Sequence, residues 1–221
     1  MKQYHKIQTV YKRNPDTNYK TLIEGEFSEP EFEYLKNCDW EWTEKVDGTN
    51  IRVIFNLSAG VQQIKGKTDK AQVQPVLLET LESIFDIDKF NKVNEFFNRE
   101  STGETHEDFI VCLYGEGYGK KINKGGKYRG DHSFVLFDVR IGHWWLKREA
   151  LVDIAYELGL EIVPIIGHGT LFEMVEKVKG GFNSEWGDFQ AEGIVARPAI
   201  ELMARNGSRI ITKLKYKDFS R

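Results

Sequence analysis

Lys45-Val46-Asp47-Gly48-Thr49-Asn50-Ile51-Arg52-Val53-Ile54-Phe55-Asn56-Leu57 is the most informative stretch of this chain. A lysine ends an apolar and aromatic run and stands two residues before an aspartate. A glycine turn follows, then a β-rich run. In an extended backbone Lys45 and Asp47 face the same side, and Gly48 permits a tight bend or the close approach of a ligand. Lysine is a weak nucleophile near pH 7, because with a free pKa of about 10.4 fewer than about one molecule in a thousand is deprotonated. A lysine used for covalent chemistry therefore needs other cations, a metal or desolvation around it.

Outward from this stretch, strand-like runs dominate. Residues 51–57, 109–114, 133–139, 161–166, 193–197 and 209–216 read as strands. Apolar stripes at helical spacing are fewer. Val76, Leu77, Leu81, Ile84 and Phe85 form one, and Phe90, Val93, Phe96 and Phe97 another. Leu151, Ile154, Ala155 and Leu158 form a third, closed by Gly159 as a C′ residue. Thr170 with Glu173 reads as a capping box opening a helix through Leu171, Met174, Val175 and Val178, stopped at Gly180-Gly181. Residues 98–108 read as a polar loop. Regular strand–helix alternation is missing, so the expected class is α+β, with largely antiparallel sheets and helices on their outer faces.

The chain has 221 residues, 40% of them hydrophobic and 13% aromatic, enough for a sizeable core and against extensive disorder. No run approaches the roughly 20 apolar residues of a membrane span, and Met1–Lys6 shows no secretory h-region. Cys38 and Cys112 form no metal-like pair and read as free buried thiols, which places the chain in the cytoplasm. The five histidines (His5, His106, His132, His143, His168) are scattered without zinc spacing; His132 lies near a basic loop. Net charge is -3, so no global nucleic-acid signature exists. The charge is uneven, however. Residues 24–44 carry eight acids against Lys36. Residues 120–129 hold Lys120, Lys121, Lys124, Lys127 and Arg129 with no acid, and residues 205–221 hold six bases against Asp218. Two basic regions on a mildly acidic chain suit a polyanion bound locally, or else are solvated lysine-rich loops.

Four further segments can carry chemistry. In Ile211-Thr212-Lys213-Leu214-Lys215 the alternation puts both lysines on one strand face. There they repel unless an anion lies beside them, and phosphate is the natural partner; a lysine-guarded edge strand is the bland alternative. In 191–197, Glu192 stands at the mouth of an apolar β-run, placed to hold a divalent metal or pair with a lysine. In 113–119, glycines flank Glu116, so backbone can pass close to a ligand whose hydroxyls the carboxylate accepts. In 134–138, Phe137 could stack on a base or simply fill a core.

Taken in order, Lys45-Val46-Asp47-Gly48-Thr49-Asn50, Tyr114-Gly115-Glu116, Phe137-Asp138, Glu192-Gly193-Ile194-Val195 and Lys213-Leu214-Lys215 resemble the collinear motifs of covalent nucleotidyltransferases: ATP-dependent DNA ligases, RNA ligases and capping guanylyltransferases. Gly-Thr-Asn after the lysine resembles the RNA ligases of the bacteriophage RNA ligase 2 type. So do Gly66-Lys67-Thr68, the loop 119–124, and Arg205-Asn206-Gly207-Ser208-Arg209 leading to Lys213. The resemblance spans roughly residues 40 to 219. It implies a ligase adenylation domain over residues 1–221 with no C-terminal accessory domain, ATP with Mg²⁺ or Mn²⁺ as cofactors, and a monomer.

The resemblance also implies roles. Lys45 attacks the α-phosphorus of ATP to give lysyl-AMP and pyrophosphate. Asn50 and Lys67 contact nucleotide phosphate or the 5′-phosphate end, Glu116 binds ribose, and Phe137 stacks on adenine. Glu44 and Asp47 complete the nucleotide site. Glu192 organises the metal, through water. Lys213 and Lys215 grip the α-phosphate. Lys120, Lys121, Lys124, Arg205 and Arg209 face the nucleic acid. The implied activity is sealing of 5′-phosphate to 3′-hydroxyl ends in RNA or an RNA-containing duplex, as in RNA repair, for a phage-encoded enzyme in a host cytoplasm. Two positions depart from the pattern. Many relatives carry arginine where Lys67 stands, and RNA ligases of this type often carry histidine where Asp47 stands. Asp47 follows the DNA ligases. A minimal DNA nick ligase, an adenylyltransferase domain with weak strand joining, a guanylyltransferase and a non-catalytic nucleic-acid binder stay open as alternatives.

Overall fold

The computed structural model describes residues 3–99 and 109–219, which form two compact units. We name them by place in the sequence. The central unit takes the described residues up to Tyr4 with Asp47–Ile162; the flanking unit takes His5–Val46 with those from Val163 onward.

The first part of the flanking unit holds β1 (Gln8–Thr9), β2 (Tyr11–Arg13), β3 (Leu22–Phe27), a short α1 (Pro30–Tyr34) and β4 (Trp40–Glu44). β2 and β3 pair as an antiparallel hairpin. The chain then enters the central unit: β5 (Thr49–Asn56), β6 (Val61–Gly66), α2 (Pro75–Ile84), α3 (Ile87–Arg99), β7 (Ile110–Gly119), β8 (His132–Ile141), β9 (Trp144–Trp145), α4 (Arg148–Leu158) and β10 (Glu161–Ile162). Its sheet runs β10-β8-β7-β5-β6, antiparallel except for β10 on β8, with β9 paired to β8. The predicted apolar stripes supply the core, except that Val76 is exposed: Leu77, Leu81, Val93, Phe97, Ile154 and Leu158 are buried in one cluster with Ile51, Val53, Phe55, Leu113 and Phe134.

The flanking unit resumes with β11 (Ile165–Gly169), α5 (Leu171–Gly180), β12 (Gly193–Pro198) and β13 (Thr212–Lys215). Its sheet order is β1-β13-β12-β4-β11, antiparallel except for β1 on β13. The capping box of Thr170 and Glu173 forms in both directions and starts α5. The apolar face of α5 packs Met174 and Val178 with Trp40, Ile194 and Leu214. The class is therefore α+β with mainly antiparallel sheets flanked by helices, as expected.

Four expectations need correction. Residues 161–166 make two strands, not one: Val163-Pro164 interrupts them, since proline has no N–H for a ladder. Lys45 to Gly48 lie outside any strand, so strand alternation does not orient them. Asn98 and Arg99 belong to α3, while 100–108 of the expected polar loop, with His106, lie outside the described residues. Cys38 is exposed; only Cys112 is buried, and burial pushes its thiol up to about 11. Among the described residues no helix is long and apolar enough to cross a membrane.

Candidate active site

The strand order β13-β12-β4 decides the site in the flanking unit. β12 is central, so its first residues have a neighbour on either side. Gly193 is in register with Lys215 on β13, and the Lys45 N–H, just past β4, donates to the Gly193 carbonyl at 3.0 Å. Glu192 therefore stands between the two lysines. Lys45 Nζ donates to Glu192 Oε2 at 2.6 Å, and Lys215 Nζ lies 2.6 Å from Oε1. The three side chains are only 11–23% exposed. Burial by itself would raise the Glu192 carboxyl, but the charges and hydrogen bonds of Lys45 and Lys215 outweigh it and hold it below the usual carboxylate range. Glu192 is thus ionised at neutral pH. Two ammonium groups on one carboxylate leave a net positive charge in a half-buried site, which favours a further anion.

The supports of this triad are local. The Tyr216 N–H donates to the Glu192 carbonyl at 2.9 Å. Asp218, buried, accepts the Lys215 N–H at 3.0 Å and Arg13 at 3.0 Å, fixing the end of β13. On β13, Thr212 and Leu214 are buried while Lys213 and Lys215 are half-buried, the alternation expected from sequence. Glu44, one residue before Lys45, is buried and accepts Ser184 Oγ at 2.6 Å and the Glu185 N–H at 2.8 Å. Burial pushes its carboxyl up, against those hydrogen bonds. Glu44 thus anchors the end of β4 to the turn before β12.

The central unit holds the other expected residues. Asn50 is in register with Glu116 across β5 and β7. Among the described residues the Asn50 Oδ1 is buried with no hydrogen-bond partner, an acceptor whose burial has a cost unless something donates to it. Gly48 packs so tightly that a Cβ there would lie 2.5 Å from the Gly117 carbonyl and 2.7 Å from Glu116 Cγ. The Asp47 N–H donates to Tyr128 Oη at 3.2 Å. Asn123 donates to the Gly48 carbonyl, tying the Lys120, Lys121, Lys124 loop to the glycine turn, and those three lysines are exposed. His132 bonds the Lys120 carbonyl at 2.8 Å. Lys67 is exposed beyond the end of β6.

Phe137 is the residue that the β7–β8 register skips: Tyr114 pairs with Asp138 and Gly115 with Leu136. A bulge re-aims the side chain it contains. Phe137 is accordingly half-buried between buried Leu136 and Asp138, edge-on to Tyr4 with ring centroids 5.1 Å apart.

Three residues have roles that sequence reasoning did not assign. Arg52, fully buried, donates to the Gly66 carbonyl at 2.9 Å and pairs with Asp69 at 2.8 Å, which fixes the turn bearing Lys67. Its signal was an arginine inside an apolar strand run. Tyr4 donates to Asp138 Oδ2 at 2.8 Å and packs on Tyr114 and Trp145. Gly193 is required because a Cβ there would fall 2.0 Å from the Leu214 carbonyl. In the other direction, Arg205 is exposed but Arg209 is not available to a nucleic acid: its side chain is 3% exposed and paired with Glu201 at 2.5 Å. Among the described residues no group of three or more His, Cys, Asp or Glu could hold a metal.

The α+β fold, with largely antiparallel sheets flanked by helices, matches that of a ligase nucleotidyltransferase-type domain. The family model for RNA ligases matches residues 39–215, and the chain belongs to the RNA ligase family. The fold is similar to that of Naegleria gruberi RNA ligase: a ligand-free variant at 15% identity (TM-score 0.65), the ligase with pyrophosphate at 16% (0.65), and a variant with AMP and manganese at 15% (0.66). Each match covers 97% of this chain and 56% of the other, so the chain spans about half the length of those structures. No curated protein matches the chain.

Proposed function

We propose that this chain is the nucleotidyltransferase domain, over residues 1–221, of an ATP-dependent RNA ligase that works through a lysyl-AMP intermediate. The observation that carries the reading is Glu192 bound by Lys45 and Lys215 through different oxygens at 2.6 Å, with Lys213 on the same strand face. Nucleotidyl transfer needs mainly positioning and charge stabilisation, which such a site supplies. Lys45 Nζ, having given its proton to solvent, attacks the α-phosphorus; a P–N bond forms, the α–β P–O bond breaks, and pyrophosphate leaves. AMP then passes to a 5′-phosphate, and a 3′-hydroxyl displaces it to close the phosphodiester.

Lys45 and Lys215 hold the Glu192 carboxyl below the usual carboxylate range, so it stays the ionised partner of both lysines. Its role is to fix Lys45 until phosphate arrives. A divalent cation would fit beside that carboxylate. One carboxylate cannot cage a metal alone, but Mg²⁺ commonly takes one or two carboxylates, several waters and substrate phosphates. When bound, it would neutralise phosphate charge; Glu192 would hold it through water. Lys213 and Lys215 then grip the α-phosphate. In the central unit Asn50 and Lys67 serve phosphate, Glu116 ribose and Phe137 adenine, while Asp47 completes the nucleotide set. Glu44 acts by positioning Lys45. Lys120, Lys121, Lys124 and Arg205 face RNA.

Incubation with α-³²P-ATP and Mg²⁺ should label the protein covalently, and Lys45→Ala should remove the label; an unlabelled wild-type protein ends this reading. The Gly-Thr-Asn after Lys45 favours the bacteriophage RNA ligase 2 type. Asp47 favours a second reading, a DNA nick ligase. Nicked RNA, mixed and all-DNA duplexes assayed side by side separate the two, and preferential sealing of all-DNA nicks selects the second.

A further inference from the structure

The flanking unit carries an open groove of about 1120 Å³, lined by β1, the β2–β3 hairpin and the end of β13 with its following turn. Seven cationic side chains line it against two carboxylates, Glu29 and Asp218. Lys213 and Lys215 stand in it, so it is continuous with the lysine pair of the proposed active site. Lys12, Lys20 and Lys217 are exposed in its walls. Asp218 is already engaged by Arg13 at 3.0 Å. Among the described residues Lys6, Lys20 and Lys217 make no ion pair. An open groove whose walls carry this much positive charge suits a long anion.

The hairpin tip adds an aromatic. Tyr19 lines the groove and is 63% exposed. Asn18 and Tyr19 both adopt the left-handed region, with φ of 52° and 59°. Such a conformation is uncommon for tyrosine and persists only where the surroundings impose it. Here the Tyr19 N–H donates to the Asn14 carbonyl at 2.9 Å, Arg13 Nη1 donates to the Tyr19 carbonyl at 3.2 Å, and the Asn14 N–H donates to the Thr21 carbonyl at 2.9 Å. A large apolar ring is thus locked outward among lysines. Burying a ring is favourable, so one held exposed at the mouth of a cationic groove is poised for a ligand with a π-face. Cationic grooves with exposed aromatics take single strands, whose unpaired bases stack while lysines follow the phosphates.

We infer that this groove binds the phosphodiester backbone of a single-stranded RNA, with a base on Tyr19, and leads the strand toward Lys213 and Lys215. The inference rests on the reading above and names the surface by which the same site receives its polynucleotide. A pyrophosphate or nucleotide tail would engage only the inner lysines and leave Tyr19 and Lys20 unused.

The test titrates a fluorescein-labelled 12-nucleotide RNA, with a 5′-hydroxyl and no ATP, by anisotropy between about 50 and 200 mM KCl. Wild-type affinity should fall with salt at a log–log slope of about 0.7 per phosphate neutralised. Lys20→Ala with Lys217→Ala should weaken binding and reduce that slope by about 1.4. Tyr19→Ala should weaken binding about 10- to 100-fold with the slope unchanged, and Tyr19→Phe should restore it. The equal-charge control, Lys92→Ala with Lys147→Ala, should bind as wild type. Groove variants that bind as wild type, a control that weakens equally, blunt duplex held with the same dependence on Tyr19, or polyglutamate competing as well as RNA would each overturn the inference. Labelling by α-³²P-ATP is read in parallel. Label with RNA binding indifferent to the groove removes this inference alone; binding as expected without label removes the ligase reading and leaves the groove.

Discussion

Glu192 holds its charge against burial because two lysines share it, and the sign of its pH dependence follows. Its folded pKa lies below its unfolded value. The stability it contributes is therefore full above the ordinary glutamate value of about 4.3 and is lost as pH falls through the lowered folded value. Glu44 runs the other way. Burial raises its pKa in the fold, so its ionised form costs stability at neutral pH, and that cost disappears as acid protonates it. Glu192→Gln keeps the shape and removes the charge, leaving Lys45 and Lys215 to repel. Urea unfolding should show the variant about 1–3 kcal/mol less stable at pH 7. The gap should close as pH drops below the usual carboxylate range, where the wild-type carboxyl becomes neutral too. A gap constant with pH would mean that Glu192 is not the ionised partner of the lysines.

Among the elements, β12 sets the geometry, since its first residues bond to β13 on one side and to Lys45 on the other. Gly193→Ala would place a Cβ 2.0 Å from the Leu214 carbonyl and 2.7 Å from Lys215 Cα, both backbone positions that cannot swing aside. The strands must separate there, at roughly 1–3 kcal/mol or more, and covalent AMP labelling should fall with stability. Gly180→Ala, with nothing among the described residues within 4 Å of the added Cβ, is the control and should change unfolding by no more than about 0.5 kcal/mol. Much of this level is readable from sequence. Lys213 and Lys215 share a face because Thr212 and Leu214 must be buried, and Thr170 with Glu173 caps α5 by satisfying end groups that any helix leaves open. Gly159 closes α4 at φ 58°, where a side chain would be strained. The missed features are those without period. β1, β2 and β9 are two or three residues long, too short to alternate. The bulge at Phe137 is set by pairing with β7, which the β8 sequence does not encode alone. The break at Pro164 divides one apolar run between two sheets, and the Pro164 carbonyl accepts the Glu44 N–H at 3.1 Å. The cationic groove joins residues about two hundred positions apart, so no local window contains it.

At the scale of the whole molecule, a net charge of -3 cannot draw a polyanion by itself; attraction must come from where the lysines are placed. The proposed roles are distributed likewise. Lys45, Glu192, Lys213 and Lys215 belong to the flanking unit, and Asn50, Lys67, Glu116 and Phe137 to the central unit, each unit with its own core. A ligand that binds only the folded state stabilises whatever must stay folded to hold it, by about 2.7 kcal/mol at a hundredfold excess over Kd. Hydrogen exchange can assign that stabilisation strand by strand, because local openings report their own free energies. With ATP and Mg²⁺ at that excess, amides of β12 and β13 should exchange up to about 100-fold more slowly if the lysine–carboxylate triad binds the phosphates. Amides of β7 and β8 around Gly115 and Phe137 should slow as well if Glu116 and Phe137 take the ribose and base. In Lys45→Ala this protection should persist, since the variant loses a nucleophile and keeps the remaining contacts. Protection confined to the flanking strands would remove Glu116 and Phe137 from the nucleotide site while leaving the phosphate chemistry where the triad puts it.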